Sequence, residues 1–440
     1  MDYEIDEEKE SDFHIDSSKA ASPFRAWDIV AGGSILSSPI VHDDTIFFGA
    51  NDTYFYALDL EGNKLWDYKT ADMIFGAPAC YKDTVIVGSA DEYLYAFSKN
   101  GDLKWKFLAG SKIWSAPLIA EGIVYFGSNN GIFHALSIED GKELWSKPNF
   151  GSEFFYSAGI VNDRIIFGNF NGNIYCISTD GDAIWELSCG GPISQSPLIV
   201  DDKNTELSSF RRRSFSKIPR CDKPRIFLGA GDGYFRCIGL DGKILWKTFA
   251  NKIGASSPTI NDKTIYFGSF DGSLYAVDVN GRVIWKFQTS NRVFSSPIQK
   301  DGIVYFGSSD HNFYAVDAKK GGLAWRFLTD GEIGLAPSIH NDAIYFGSWD
   351  GHMYAISLKD NTLLWKFRTA LGFPSYMRKP TMVSEEPKKK IEFVQTETTK
   401  GYDVKRDNYS SVTGERTNSF YTTNMTYKNK TPYDRGMDKY

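Results

Sequence analysis

Apolar and polar residues alternate along most of the chain in short runs that are typical of β-strands. In "SSPTINDKTIYFGSFDGSLYAVDVNGRVIWKF", Ser256 to Phe287, the runs "TIYFGS" and "SLYAVD" show this period of two. The Asp-Gly pair between them supplies the positive φ angles of a tight hairpin turn. A short run before "NDK" and a last run, "VIWKF", complete four strands, which we call A to D in chain order. Each such unit is therefore predicted to be one four-stranded antiparallel sheet.

The unit repeats at nearly constant intervals. A tryptophan marks each D strand, with spacings of 39 or 40 residues and a single spacing of 61: Trp27, Trp66, Trp105, Trp145, Trp185, Trp246, Trp285, Trp325 and Trp365. The glycine that ends strand B recurs eight times: Gly49, Gly88, Gly127, Gly168, Gly229, Gly268, Gly307 and Gly347. A fixed period near 40 residues indicates a repeat architecture. Because eight such sheets can hide their edges by closing into a ring, we predict an all-β, eight-bladed β-propeller of four-stranded antiparallel blades.

The repeated tryptophans have a structural interpretation. A bulky ring at the same place in every unit is typical of the core between blades. We therefore predict that these residues dock one blade on the next: Trp66, Trp105, Trp145, Trp185, Trp246, Trp285, Trp325 and Trp365. The strand "FRAWDIV" around Trp27 is then a ninth D strand. We expect it to join the last blade as the closing strand, or to pack beside it, because a ring fastened by both chain ends resists opening.

Positions that differ between units are the candidates for binding. In a propeller, strand A is innermost, so the third residue before the proline of each "S-S-P" segment should lie near one mouth of the central channel. This position is aromatic in blades two, three, four and seven and small in blades five and six, and the B–C turns reach the same face. The predicted ligand-binding or partner-binding residues are Phe75, Trp114, Tyr156, Phe170, Gln195, Phe270, Phe294 and Trp349. Aromatic walls suit a peptide or a small organic ligand. The alternative is that these rings plug the channel by contacting one another.

Composition limits the remaining possibilities. The chain has 440 residues, 42% of them hydrophobic, and a net charge of −6, which gives no global attraction to nucleic acid or to acidic membranes. The beginning, "MDYEIDEEKESDFHID", lacks the apolar run of a signal peptide, and no later window approaches the ~20 apolar residues of a membrane span. We therefore expect a cytoplasmic protein without a membrane span. Its five cysteines form no CxxC motif, which suits a reducing compartment. We expect a monomer.

Three stretches depart from the repeat. Residues 1–22 are acidic and residues 374–440 are polar, and both are predicted to be largely disordered tails of a propeller domain at 23–373. A basic insertion, residues 201–224, lies between strands A and B of blade five and contains Arg211, Arg212, Arg213, Lys217 and Arg220. These side chains could contact phosphates, so the insertion and the carboxyl tail make nucleic acid one alternative partner. The other interpretation is a solvated loop, since a long insertion costs little loop-closure entropy.

Three segments carry a resemblance to a known family. "ALDLEGNKLWDY" (57–68), "ALSIEDGKELWSK" and "AVDVNGRVIWKF" resemble the repeat of the quinoprotein-type, or PQQ-like, β-propeller superfamily, and the resemblance extends from Trp27 to about Arg368. It implies an eight-bladed ring in which each tryptophan docks between blades. The superfamily includes both pyrroloquinoline quinone (PQQ) dehydrogenases and cofactor-free, BamB-like scaffolds, and fold alone does not choose between them.

The candidate chemistry favours a scaffold. The dehydrogenases of the superfamily have an adjacent-cysteine disulfide, a calcium cluster and a catalytic aspartate, whereas this chain has no Cys-Cys pair. No spacing of His, Cys, Ser or acidic residues indicates a catalytic or metal site. We predict a non-enzymatic propeller that binds a protein or peptide partner through one face of its channel, with no cofactor. The alternatives are an atypical dehydrogenase that uses PQQ and calcium, and a nucleic-acid-associated propeller.

Overall fold

A computed structural model describes residues 33–148, 150–151, 153–201 and 223–369, all of which belong to one compact unit. These residues form thirty-two β-strands and no helix, so none of them provides a helical membrane span. The predicted tails (1–22 and 374–440), Trp27 and the basic residues of the insertion lie outside the described residues. The insertion does interrupt blade five between strands A and B, as predicted.

Each blade consists of four consecutive strands hydrogen-bonded in chain order. Blades one to four contain β1–β4 (Ile40–His42, Thr45–Gly49, Tyr54–Asp59, Lys64–Lys69), β5–β8 (Ala79–Tyr81, Thr84–Gly88, Tyr93–Ser98, Leu103–Leu108), β9–β12 (Leu118–Ala120, Ile123–Ser128, Ile132–Ser137, Glu143–Lys147) and β13–β16 (Gly159–Val161, Arg164–Gly168, Asn173–Ser178, Ala183–Ser188). Blades five to eight contain β17–β20 (Leu198–Val200, Arg225–Gly229, Tyr234–Gly239, Ile244–Phe249), β21–β24 (Thr259–Asn261, Thr264–Gly268, Ser273–Asp278, Val283–Gln288), β25–β28 (Ile298–Lys300, Ile303–Gly307, Asn312–Asp317, Leu323–Leu328) and β29–β32 (Ser338–His340, Ala343–Gly347, His352–Ser357, Leu363–Arg368).

A β-bulge between strands C and D recurs in every blade, beside the docking tryptophan. In blade one the register shifts between Ala57 and Leu58, immediately after the pair Ala57–Trp66. The residue opposite the tryptophan is always small: Ala57, Ala96, Ala135, Cys176, Cys237, Ala276, Ala315 and Ala355. A small partner leaves room for the indole, and the bulge adds local twist to the outer strand.

Each docking tryptophan reaches the C–D turn of the next blade. The Trp66 indole N–H donates to the Lys99 carbonyl at 2.9 Å. Equivalent bonds join six further pairs: Trp105–Ile138, Trp145–Thr179, Trp185–Leu240, Trp246–Val279, Trp285–Ala318 and Trp365–Leu60. The turn keeps a glycine under the ring, since a Cβ on Gly101 would lie 2.8 Å from Trp66. Trp325, whose neighbouring turn has Asn361 with φ 57° instead, is 4% exposed. The predicted docking role therefore agrees with the geometry.

The apolar core is divided among the interfaces between blades. The described residues form eight hydrophobic clusters, each made from two neighbouring blades. An open stack of eight blades would have only seven such interfaces. The eighth cluster joins the first and last blades through Ile46, Phe48 and Tyr345, so the ring is closed and the predicted eight-bladed propeller is confirmed.

Side-chain hydrogen bonds fasten the seam between the last and first blades. The Ala336 N–H donates to Ser38 Oγ at 3.1 Å, and the Trp365 indole donates to the Leu60 carbonyl at 2.8 Å. The Thr369 hydroxyl donates to the Gly33 carbonyl, also at 2.8 Å. Strand β32 provides the D strand of the last blade, and Trp365 has its docking position. The expectation that the Trp27 strand joins this blade or packs beside it concerns residues outside the described ranges.

Candidate functional site

The inner strands of all eight blades enclose a cavity of about 430 Å³. Its lining is mainly aliphatic, with a ring of proline, serine and alanine near one mouth and isoleucines further in, among them Ile160, Ile199 and Ile298. The volume lies within the range of pockets that bind small organic groups. We therefore take this channel, and the mouth that the sequence indicated, as the candidate site.

Aromatic rings from blades two to four form one side of that mouth. Ring centroids lie 6.2 Å apart for Phe75 and Trp114, 4.7 Å for Trp114 and Phe155, and 5.0 Å for Phe155 and Phe170. All four rings are half-buried. The rings of this aromatic wall thus contact one another, as a plug would, but they retain exposed surface and three of them line a cavity that stays open.

Phe155, not Tyr156, has the wall position in blade four. Strand β13 begins at Gly159, so Ala158 stands where the other blades have proline, and the third residue before it is Phe155. The position predicted from the sequence is one residue too late, because blade four lacks the proline from which the position is counted. Phe154 is buried at the position that Ile113 has in blade three. An apolar residue directly before the mouth position is the sequence signal that would have identified Phe155. Tyr156 also lines the cavity.

A second aromatic group lies across the mouth, on blades six to eight. The ring centroids of Phe270 and Phe294 are 4.5 Å apart, and the Arg292 guanidinium lies over Phe270 at 5.7 Å. Trp349 is 38% exposed and lies next to Gly334, where a Cβ would be 3.5 Å from its indole nitrogen. Phe294 belongs to the cavity lining, whereas Phe170, Phe270 and Trp349 come from B–C turns outside it.

Blade five has glycine and serine, instead of aromatic residues, at the mouth beside these two groups. Gly190 and Gly231 are exposed, and the neighbouring mouth position is Ser194. Close backbone packing requires the glycines, since a Cβ on Gly191 would lie 2.4 Å from the Asp232 nitrogen. We call Gly190, Gly191, Ser194 and Gly231 the glycine saddle. It presents main chain where the aromatic wall presents rings.

Gln195 does not reach the mouth. Its side chain is 2% exposed and donates to the Gly254 carbonyl of the next blade at 3.2 Å. Serines at the equivalent position make similar bonds between blades: Ser37 to Gly76, Ser256 to Ser295, and Ser295 to Leu335. The structure therefore places the Gln195 side chain in the blade interface and not at the mouth where the sequence had placed it.

The opposite end of the cavity combines aliphatic residues with a few polar and charged side chains. His42, Lys82 and Asp201 line it, each at or beside an A–B turn. His42 Nε2 lies 2.8 Å from the Lys82 carbonyl, and the Lys82 ammonium lies over the Tyr81 ring at 5.0 Å. The channel therefore runs from an aromatic mouth to an end that bears charged side chains.

The aspartates of the B–C turns are structural, as the sequence indicated. In blade six, Asp271 accepts hydrogen bonds from the Tyr275 hydroxyl at 2.7 Å and from the Ser273 N–H at 3.0 Å. Burial opposes ionisation of Asp271, but hydrogen bonds from Tyr275 and Ser273, together with Lys286, hold its pKa below the ordinary range. The same Asp–Tyr pair recurs in four other blades: Asp52–Tyr56, Asp91–Tyr95, Asp310–Tyr314 and Asp350–Tyr354.

Blade three replaces the Asp–Tyr pair with a histidine network. His134 Nε2 lies 3.0 Å from Ser128 Oγ, and His134 Nδ1 lies 3.0 Å from Glu143 Oε1. This is the order of groups in a catalytic triad, but Ser128 is 0% and His134 is 4% exposed, so a substrate cannot reach the hydroxyl. Burial lowers the pKa of His134, although Glu143 acts in the opposite direction.

Acidification from pH 7 to pH 5 is expected to destabilise the protein through His134. Its pKa is lower in the folded protein than the usual value of about 6.5, so the unfolded chain takes up the proton first and stability falls as the pH drops below that value. The double variant N130D/H134Y would give blade three the Asp–Tyr pair that is present in five other blades. Its urea midpoint should change less between pH 7 and pH 5 than that of the wild type. Equal changes in both proteins would contradict this role. Carboxylates such as Asp271, whose pKa lies below the ordinary range, do not account for a change between pH 7 and pH 5.

The residues of the cavity do not fit PQQ with calcium. PQQ is a tricarboxylate, and its calcium ion needs several oxygen ligands. Among the described residues, no three His, Cys, Asp or Glu side chains come together as a metal site, and the cavity lining contains a single carboxylate, Asp201. The four described cysteines form no disulfide.

The closed ring, its docking tryptophans and its inner cavity define an eight-bladed propeller built from PQQ-like repeats. A family model described as outer membrane protein assembly factor BamB matches residues 19–105, 72–201 and 231–375, which together are more than half of the chain. The chain therefore belongs to this family. None of the curated proteins with which it was compared matches it.

Solved structures show the same fold at low sequence identity. BamB from Moraxella catarrhalis is 17% identical with a TM-score of 0.59, and the match covers 74% of this chain and 97% of that one. A europium-containing methanol dehydrogenase is 14% identical with a TM-score of 0.60, covering 76% and 84%. The computationally designed Ika8 protein is 16% identical with a TM-score of 0.61, covering 75% and 98%. Since an assembly factor, an enzyme and a designed protein share it, the fold alone does not assign an activity.

Proposed function

We propose that this chain is a non-enzymatic scaffold that binds an extended, apolar peptide segment of a partner protein at the aromatic mouth of its channel. The observation that carries the proposal is the half-buried aromatic wall of Phe75, Trp114 and Phe155 beside an open cavity of about 430 Å³. Half-buried rings that already contact one another are rigid, so binding costs little side-chain entropy and desolvates large apolar surfaces.

The shape of the mouth favours a peptide over a compact ligand. A large side chain of the peptide would enter the cavity between Trp114 and Phe294, both of which line it. The adjacent peptide backbone would cross the glycine saddle, where Gly190 and Gly231 are exposed and carry no side chain. Aromatic anchors for the side chains, together with main-chain hydrogen bonding, are a recurring mode of peptide recognition.

The expected binding site can be tested with a library of random peptides displayed on phage. Peptides rich in large apolar residues should be enriched on the full chain, and their affinities can be measured by fluorescence anisotropy. Trp114→Ala and Phe155→Ala should each weaken binding by about 30-fold, the effect of losing a hot-spot contact of about 2 kcal/mol. Ala255→Leu, which adds bulk to the cavity lining, should weaken binding without removing an aromatic ring.

A matched control comes from the outer strand of blade five. Phe249 is 60% exposed and lies on β20, away from the channel, so Phe249→Ala should leave peptide affinity unchanged. The proposal is wrong if no peptide is enriched, or if the selected peptides bind Trp114→Ala, Phe155→Ala and Ala255→Leu as tightly as the wild type. Thermal unfolding of each variant separates a loss of binding from a loss of folding.

A further inference from the structure

Asp201 differs from its counterparts in the other blades. It follows the inner strand β17 (Leu198–Val200), at the position where each A–B turn begins. The seven equivalent residues are all exposed: Asp43, Lys82, Glu121, Asn162, Asp262, Asp301 and Asn341. Asp201, in contrast, is 6% exposed and lines the channel cavity. The repeat does not require a buried carboxylate here, since seven blades do without one.

The buried carboxylate of Asp201 has an unsatisfied oxygen. Its Oδ2 is shielded from solvent and has no hydrogen-bond partner among the described residues. A carboxylate oxygen that is shielded from water and has no donor is unfavourable, because nothing replaces its hydration. Asparagine, which stands at the equivalent position in blades four and eight, would avoid this charge. Within the part of the chain that the structure describes, Oδ2 of this retained carboxylate is therefore an acceptor without a donor.

The basic side chains at this end of the cavity have other contacts. His42 Nε2 lies 2.8 Å from the Lys82 carbonyl, and the Lys82 ammonium lies over Tyr81. No ion pair joins Asp201 to any residue within the described ranges. The nearby lining is aliphatic, with Val161, Ile199 and Val200. A carboxylate acceptor in an aliphatic surrounding suits a ligand with a cationic head and an apolar body.

We propose that Asp201 anchors a second binding site, specific for an organic cation with an aliphatic body, such as an alkylammonium ion or a lysine side chain. The ammonium group donates to Oδ2, where the low local dielectric strengthens the charge-assisted hydrogen bond. The alkyl body lies along the aliphatic lining of the channel. This site is separate from the aromatic mouth, because Ser194 precedes strand β17 at the mouth, whereas Asp201 follows the strand at the A–B turn.

The probe for this site is n-hexylammonium chloride, titrated into the full chain by calorimetry. The wild type should bind it, while hexan-1-ol and sodium hexanoate at the same concentration should not bind. Asp201→Asn should weaken binding at least tenfold. In the absence of ligand, the same variant should be at least as stable as the wild type, since no described residue pairs with the charge that it removes. Asp262→Asn, at the exposed equivalent position of blade six, should change neither quantity.

The cation could come from free ligand or from this chain, because residues 202–222, which follow Asp201, include several arginines. A variant that lacks residues 203–221 distinguishes the two sources. Binding that is tenfold tighter in this variant and is lost on Asp201→Asn indicates a cation supplied by the chain. Unchanged binding that is still lost on Asp201→Asn indicates free ligand.

Three results would overturn the proposal. One is the absence of hexylammonium binding in both the wild type and the shortened variant. Another is equal binding by the wild type and Asp201→Asn. The third is a lower unfolding midpoint for ligand-free Asp201→Asn, which would show that the carboxylate stabilises the fold. Trp114→Ala should leave hexylammonium binding unchanged, so failure of this site and failure of the peptide site can be told apart.

Discussion

Trp365→Ala is expected to lower the free energy of unfolding by about 3 kcal/mol, the lower end of the range for truncating a packed aromatic residue. The indole of Trp365 is half-buried, lies over Gly62 of the first blade and donates to the Leu60 carbonyl at 2.8 Å. Its loss would remove both packing and a hydrogen bond at the seam that closes the ring. Because the core is divided among interfaces, a weakened seam reduces the stability of the whole ring.

Chemical denaturation provides the measurement, as a fall in the midpoint at constant slope. Trp365→Phe keeps a ring over Gly62 but removes the N–H donor, so it should cost only about 1 kcal/mol. Trp349→Ala is the matched control, because its indole is 38% exposed at the mouth and takes no part in the seam core. A midpoint for Trp365→Ala equal to that of Trp349→Ala would contradict the role assigned to the closing tryptophan.

Gly307→Ala is expected to cost about 3 kcal/mol through overpacking. Gly307 ends strand β26, and a Cβ there would lie 2.2 Å from Ile333 Cγ2 and 2.5 Å from the Ile333 carbonyl oxygen. A side-chain methyl can move aside, but the carbonyl belongs to the backbone of the loop that leads into blade eight. The substitution therefore forces the two blades apart.

Gly322→Ala provides the control for this substitution. No atom lies within 4 Å of a Cβ built on Gly322, so the exchange should change the unfolding midpoint little. The midpoint of Gly307→Ala should fall clearly below that of Gly322→Ala when both are measured in the same denaturant series. Similar midpoints for the two variants would show that the inter-blade contact at Gly307 tolerates a methyl group.

The fold could be predicted from the sequence because its determinants are local and repeated. Each unit contains its own turn glycines, its alternating strands and its docking tryptophan, so eight copies report the same structure. The seam was harder to predict. Trp27 and Trp365 both have the sequence of a closing D strand, and the spacing does not show which of them occupies the docking position on the first blade.

The candidate site was predicted less well, because its residues are the ones that do not repeat. Phe155 was missed because blade four has Ala158 in place of the proline from which the mouth position is counted in the other blades. Gln195 was placed at the mouth because it stands in a row of small residues, yet it bonds to Gly254 inside a blade interface. The burial of Asp201 had no sequence signal, since aspartate is common in turns and only the fold shows that this one faces the cavity.

The seam also bears on the order of the blades along the chain. Gly33 and Thr369 are joined by a hydrogen bond of 2.8 Å, and the eighth interface is packed like the other seven. Within residues 33–369, no covalent bond joins the first blade directly to the last, so any one of the eight interfaces could take the place of this seam. A circularly permuted chain, with residues 33 and 369 linked and new ends opened at another interface, would satisfy the same set of contacts.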